Sequence, residues 1–169
     1  MNLPGPIAVK AANDAVSNIG VREEGRNDGK YIRVYQKSVG LNPGDPWCAA
    51  FVYYRLQKAA SVLGLPLPEH VPCSGWTPDW AKWGKSRGMW MDAKWRPGGV
   101  QKGDLALFYM PHMGRIAHIG IVIGRWKDGV VTVEGNTNDA GGRDGDGVYR
   151  KERTWKEFGE YGGFVRCDF

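Results

Sequence analysis

Four side chains in this sequence have the types and the setting for nucleophilic chemistry. Cys48 sits in "DPWCAAFVYYRL", directly after a proline and a tryptophan and ahead of an apolar run. His118 lies in "RIAHIGIVIG", and Glu134 and Asn136 lie in "VTVEGNTN". A thiol attacks when its thiolate is favoured, a base stands nearby and a third group orients that base. A helix start favours the thiolate, because its unpaired N–H groups carry the positive end of the helix dipole. Those N–H groups, with that of Cys48, can also donate to an oxyanion. His118 is the best base. In strand alternation it shares a face with Gly120 and Val122, and the glycine leaves room for a side chain from another element. Glu134 and Asn136, two apart, share a face if their strand runs that far, and either could accept from the imidazole N–H. Against this stands the common fate of a cysteine, burial as a small apolar residue. "EGNTN" also has the composition of a turn.

These residues need elements to carry them. "PIAVKAANDAVSNIG" repeats apolar residues at helical spacing from Ile7 to Ile19 and meets Gly20 as a stop. "KYIRVYQKSVG" reads as a second helix ending at Gly40, and "LNPGDP" as a turn rich in breakers. A third helix is expected from Trp47–Cys48 to about Leu63, with Pro46 in its first turn and Asp45 as cap. "TPDWAKWGKSRG" reads as a short helix with Thr77 as cap and Pro78 at the first position. Beyond it the period changes. "DLALFYM", "AHIGIVIG", "GVVTVEG", "GVYRKER" and "GGFVRCDF" are strand-like, and "KDG" is a hairpin signal. Helices first and an antiparallel sheet of about five strands after them predict an α+β domain.

Composition narrows the classes. A length of 169 residues suits one domain over 1–169. With 42% hydrophobic and 24% charged residues the chain is globular rather than disordered. No window has the apolar run that spans a membrane, so stable membrane insertion is not expected. The first residues lack the basic start and apolar block of a signal peptide, so a protein made in the cytoplasm and acting outside it is expected to leave by another route or to have had its signal removed. A net charge of +5 favours a polyanionic partner. Nucleic acid is one candidate and an anionic cell envelope another; the basic residues are dispersed and form no nucleic-acid motif, so no nucleic-acid partner is expected. Three widely spaced cysteines make no disulfide framework, and they and the three histidines lack zinc-site spacing. No metal and no cofactor are expected, and the chain is expected to be a monomer.

The segments "SVGLNPGDPWCAAFV", "KGDLALFY", "AHIGIVIG" and "VEGNTN…GDGVYR", in this order, resemble the CHAP domains, the cysteine, histidine-dependent amidohydrolases and peptidases of the papain-like, NlpC-related group. The resemblance covers most of the chain, from about Arg22 to Arg153. It implies a papain-like fold and cleavage of a peptidoglycan amide through a thioester. It implies Cys48 as nucleophile, His118 as base, Glu134 as third residue and Asn136 as a fourth, orienting group. NlpC-type enzymes often carry a second histidine at the third place, so Glu134 favours the CHAP side. Some phage CHAP domains bind calcium through an acidic loop before the cysteine; "NDGKY" and "NPGDP" are too poor in carboxylates to carry that over.

Lesser features remain. "GGRDGDG" resembles a fragment of a calcium loop but lacks the acidic positions of a full one. Trp47 either lines a groove or anchors its helix, and His112 is placed at the groove rim; both are held as substrate-binding candidates. Cys73 and Cys167 read as packing residues, and "RKERTWKE" as a solvated charge run. The function expected is a peptidoglycan hydrolase of the phage-lysin type, acting on the wall after release by a holin or a secretion system. The alternatives are an antibacterial amidase effector, a thiol transglutaminase or deamidase, and a non-catalytic binding module.

Overall fold

A computed structural model describes residues 2–142 and 144–169. Among them, four α-helices precede one antiparallel sheet of six strands. The helices are α1 (Pro6–Val16), α2 (Lys30–Ser38), α3 (Cys48–Leu63) and α4 (Thr77–Ser86). The strands are β1 (Trp90–Asp92), β2 (Leu105–Met110), β3 (Arg115–Trp126), β4 (Gly129–Thr137), β5 (Gly147–Thr154) and β6 (Gly163–Val165), in the spatial order β1-β6-β2-β3-β4-β5. The α+β class is therefore as expected. The sheet has one strand more than the sequence suggests: β1 is three residues long, too short for a period, and it pairs with the chain's last strand.

Alternation along the central strands gives the sheet two apolar faces. Leu105, Leu107, Ile119, Ile121 and Val133 join the large core that the helices fill with Ala11, Ala15, Phe51, Val52 and Leu56. Ala106, Phe108, Val122, Val130 and Phe164 face the other way, onto a smaller cluster closed by Phe158. β3 and β4 turn through Lys127–Asp128, with Trp126 opposite Gly129, as the hairpin signal predicts. Behind the small cluster, Arg166 donates to Asp104 at 2.6 and 3.1 Å, and both side chains are buried. Burial is the largest influence on Asp104 and raises its carboxyl pKa despite that partner.

Two helix starts differ from their expected form. The N-cap of α3 is Trp47, so Pro46 and Asp45 fall outside the first turn. Asp45 instead accepts from the Asn42 N–H at 2.8 Å within the breaker-rich turn. Thr77 is the first residue of α4 rather than its cap, and its hydroxyl donates to the Ile116 carbonyl at 2.8 Å, pinning α4 to β3.

Candidate active site

Cys48 is the first residue of α3, and its side chain is buried at the floor of a groove of about 420 Å³. No side chain caps this helix. The first-turn N–H groups therefore face the groove end of the helix without a carboxylate or hydroxyl to occupy them. What holds the helix start is a polar cradle. The N–H of Trp47 donates to Asn136 Oδ1 at 3.1 Å, and Asn136 Nδ2 donates to Asn27 Oδ1 at 2.9 Å and to the Gly145 carbonyl at 3.1 Å. Asn27 in turn donates to the Gly44 carbonyl, and Gln36 donates to the carbonyls of Asn27 and Asp45. Asn27 and Asn136 both have positive φ, 49° and 56°, a conformation that asparagine tolerates better than other residues with a Cβ.

His118 enters the site from β3 beside an irregularity. Phe108 pairs with His118, but Tyr109 pairs with Ile116, so Ala117 is an extra residue. Such bulges bend a strand and re-aim the neighbouring side chain. His118 is buried, 5.6 Å from the Phe108 ring. Its Nε2 lies 2.7 Å from Glu134 Oε2. An ionised carboxylate only accepts, so Nε2 carries the proton and Nδ1 is the ring's reactive nitrogen. Nδ1 is buried and has no hydrogen bond of normal geometry among the described residues, while Cys48 is the polar neighbour acting on the ring besides Glu134. Burial works against a charged ring, but the interactions with Cys48 and Glu134 outweigh it and raise the His118 pKa to about 9.

Glu134 is the centre of a buried charge cluster. Its Oε1 accepts from Thr132 Oγ1 at 2.5 Å and Arg153 Nε at 2.8 Å, and its Oε2 from His118 and from Arg153 Nη2 at 2.5 Å. Every acceptor position of the carboxylate is thus used. Burial alone would raise its pKa; Arg153 and His118 reverse that and hold it well below the usual carboxylate range. Arg153 also reaches Glu157 at 3.0 Å and lies over the Phe108 ring at 4.9 Å. Glu134 can cross to His118 because position 120 is glycine. A Cβ there would stand 2.5 Å from the Glu134 Cγ.

The structure brings Cys48, His118 and Glu134 together and gives Asn136 another neighbour. Asn136 bonds the start of α3 rather than the imidazole, so it orients the thiol's helix and not the base. Trp47 is corrected from a groove residue to an anchor. It is fully buried, its indole donates to Glu23 at 2.8 Å, and it stacks on Tyr35 at 5.6 Å. His112 lies on the exposed turn Pro111–Met113 and does not line the groove. Cys73 is exposed and lines the groove, so it is not a packing residue, whereas Cys167 is buried. Arg153 lies in the segment read as a solvated run, yet it is only 5% exposed. Of the 141–147 loop, Arg143 lies outside the described residues. Among the described residues, no group of three or more histidine, cysteine or acidic side chains is placed to hold a metal ion, and no helix is long and apolar enough to cross a membrane.

Arg153, Thr132, Asn27, Glu23 and Gln36 are the site's supporting residues that sequence reasoning missed. Thr132 alone had a signal, two positions before Glu134 on one strand face. The other four are joined to the site only by contacts between distant segments. No protein-family model, curated protein or solved structure matches the chain.

Proposed function

We propose that the protein is a thiol amidohydrolase of the CHAP type that cleaves an amide of bacterial peptidoglycan, acting as a lysin. One observation carries the catalytic part of this reading: Cys48 opens an uncapped helix next to an imidazole whose far nitrogen bonds Glu134, which Arg153 clamps in turn. The segment order resembling CHAP domains supports the wall as substrate, and so does the net charge of +5, which suits an anionic envelope.

The steps follow from the clamp. His118 Nδ1 takes the Cys48 proton, and the ring then carries one on each nitrogen, a form its raised pKa favours below about pH 9. Charges then alternate along Cys48, His118, Glu134 and Arg153, so each buried charge has an opposite neighbour. The Cys48 thiolate attacks the amide carbonyl carbon. The oxyanion that forms is met by the Cys48 N–H and the first-turn N–H groups of α3. His118 Nδ1 gives its proton to the departing amine, the C–N bond breaks, and an acyl thioester remains. His118 then takes a proton from water, hydroxide adds to the thioester, and the acid leaves as the thiol is restored.

Cys48→Ala tests this. It is expected to bring turbidity loss of purified cell walls down to the buffer rate, with the circular-dichroism spectrum and melting unchanged. Retained lysis would remove Cys48 from the mechanism. Mass spectrometry of the wild-type digest identifies the bond through new amino groups or new lactyl termini. Ammonia released without wall lysis would move the reading to a deamidase or transglutaminase.

A further inference from the structure

We infer that the sheet edge at β1, with the 3-10 turn Ala93–Trp95 that follows it, docks on an anionic lipid surface: Trp95 seats among the headgroups, and Lys85, Lys94 and Arg96 meet their phosphates. This goes beyond the hydrolase reading and does not rest on Cys48. The segment from Lys82 to Arg96 holds five cations, Lys82, Lys85, Arg87, Lys94 and Arg96, against one carboxylate, Asp92. All five cations are exposed, and none has an ion-pair partner among the described residues. Elsewhere Lys10 pairs with Asp14, Arg33 with Asp28, Arg150 with Glu152 and Arg166 with Asp104. Arg87 shares a small cavity with Asp168 and is left out of the surface. The other groups are joined by contacts. Lys85 Nζ lies 4.6 Å from the centre of the Trp90 ring, and the Trp90 indole donates to Asp92 at 2.8 Å. Asp92 is the N-cap of the turn that carries Lys94 and Trp95, and Arg96 ends that turn with φ 47°. Arg125 of β3 donates to the Gly98 carbonyl and ties the turn to the sheet.

Trp95 decides between two anionic partners. It is 75% exposed, more than any other large apolar side chain among the described residues, and Lys94 Nζ lies 5.3 Å from its ring centre. An indole flanked by cations suits the boundary of a bilayer. Its apolar body reaches the acyl boundary, its N–H stays at the headgroups, and the neighbouring cations face the phosphates. A soluble phosphate polymer would match the cations but offers no apolar layer to the indole. The contact is peripheral, one indole and three cations. β1 pairs only with β6 in the sheet order, so the surface lies at the sheet's rim. The groove over Cys48 opens at the other end of α4. Thr77 lines that groove, and Lys85 is eight residues further along, about 12 Å of helix. A lipid surface held at Lys85 and Trp95 therefore leaves the groove open.

The probes are vesicles of phosphatidylcholine and of an equimolar mixture with phosphatidylglycerol, and binding of the whole chain is read by co-sedimentation at low salt. The anionic vesicles are expected to bind about 100-fold tighter than the neutral ones, about fivefold for each of the three cations. Lys94→Gln/Arg96→Gln is expected to weaken that binding about 25-fold. Lys30→Gln/Lys58→Gln, which removes the same charge from α2 and α3, should stay within about twofold of the wild type. Lipids brominated near the headgroup are expected to quench tryptophan fluorescence in the wild type and not in Trp95→Ser. Circular dichroism of each variant checks that the fold is intact. Equal binding to the two vesicles, equal losses in the two double variants, or quenching that survives Trp95→Ser overturns the inference. Binding to soluble poly(glycerol phosphate) without binding to vesicles assigns the surface to a polymer and overturns it as well. Cys48→Ala is expected to bind the vesicles as the wild type does, so a failure of the hydrolase reading and a failure of this one are told apart.

Discussion

Glu134 does two jobs at the residue scale, and one substitution separates them. It orients the His118 ring through Nε2, and against burial it joins Cys48, the larger influence, in raising the ring's pKa to about 9. Glu134→Gln retains an acceptor at the same reach but removes the charge. Burial, which opposes a charged ring, then loses its main opponent besides Cys48. The alkaline limb of the proposed wall hydrolysis, expected near pH 9 in the wild type, should fall by at least one pH unit. The pH dependence of initial rates and an NMR titration of the His118 ring both read this. The same change leaves Arg153 buried with Glu157 as its remaining acidic partner, so a loss of about 3 kcal/mol in urea unfolding should accompany it. An unmoved alkaline limb would assign that limb to another group. The acceptor is legible in the sequence because Glu134 follows a two-residue hairpin from the His118 strand. Its clamp is not, because Arg153 reaches it only through the β4–β5 register, and nothing in "RKERTWKE" announces that one arginine of the run turns inward.

At the scale of elements, the site depends on two local features of β3. The bulge at Ala117 aims His118, and the glycine at 120 opens the lane through which Glu134 reaches it. β3 also carries Gly124, where an added Cβ would meet nothing within 4 Å, and this gives an internal control. Gly120→Ala forces its methyl against a buried Glu134 Cγ and against the Val133 carbonyl, 3.2 Å away. It should cost about 1–3 kcal/mol of stability by overpacking and at least about tenfold in rate as Glu134 is displaced. Gly124→Ala should stay within about 0.5 kcal/mol of the wild type in both measures. Comparable losses in the two variants would mean that strand flexibility, and not the lane, is what glycine supplies. The helix carrying Cys48 was readable to within a residue, since a breaker-rich turn and an apolar run bracket it. Its true support was not, because Asn136, Asn27 and Gln36 meet only after a strand end, a loop and a helix converge.

At the scale of the whole molecule, the buried charge cluster of the candidate site is also part of what holds the fold, so stability and the proposed activity should share their pH limits. His118 has a folded pKa raised from 6.5 to about 9. Its contribution is therefore complete below pH 6.5 and is lost as pH rises through 9, up to about 3 kcal/mol. Glu134 has a folded pKa lowered from 4.5. Its contribution is complete above pH 4.5 and disappears as pH falls below that value. Asp104 has the opposite sign, because its raised pKa favours the protonated folded state and softens the acid limb. The difference in unfolding free energy between wild type and Glu134→Gln cancels Asp104, which is common to both. That difference should be largest between pH 4.5 and 6.5. It should shrink toward zero in acid and fall only to a plateau in alkali, where Arg153 still pairs with Glu134 after His118 has lost its proton. Urea titrations at one-unit intervals from pH 3 to pH 10 would trace the curve. A difference that is flat with pH would mean that the cluster holds no more charge in the folded protein than in the unfolded chain.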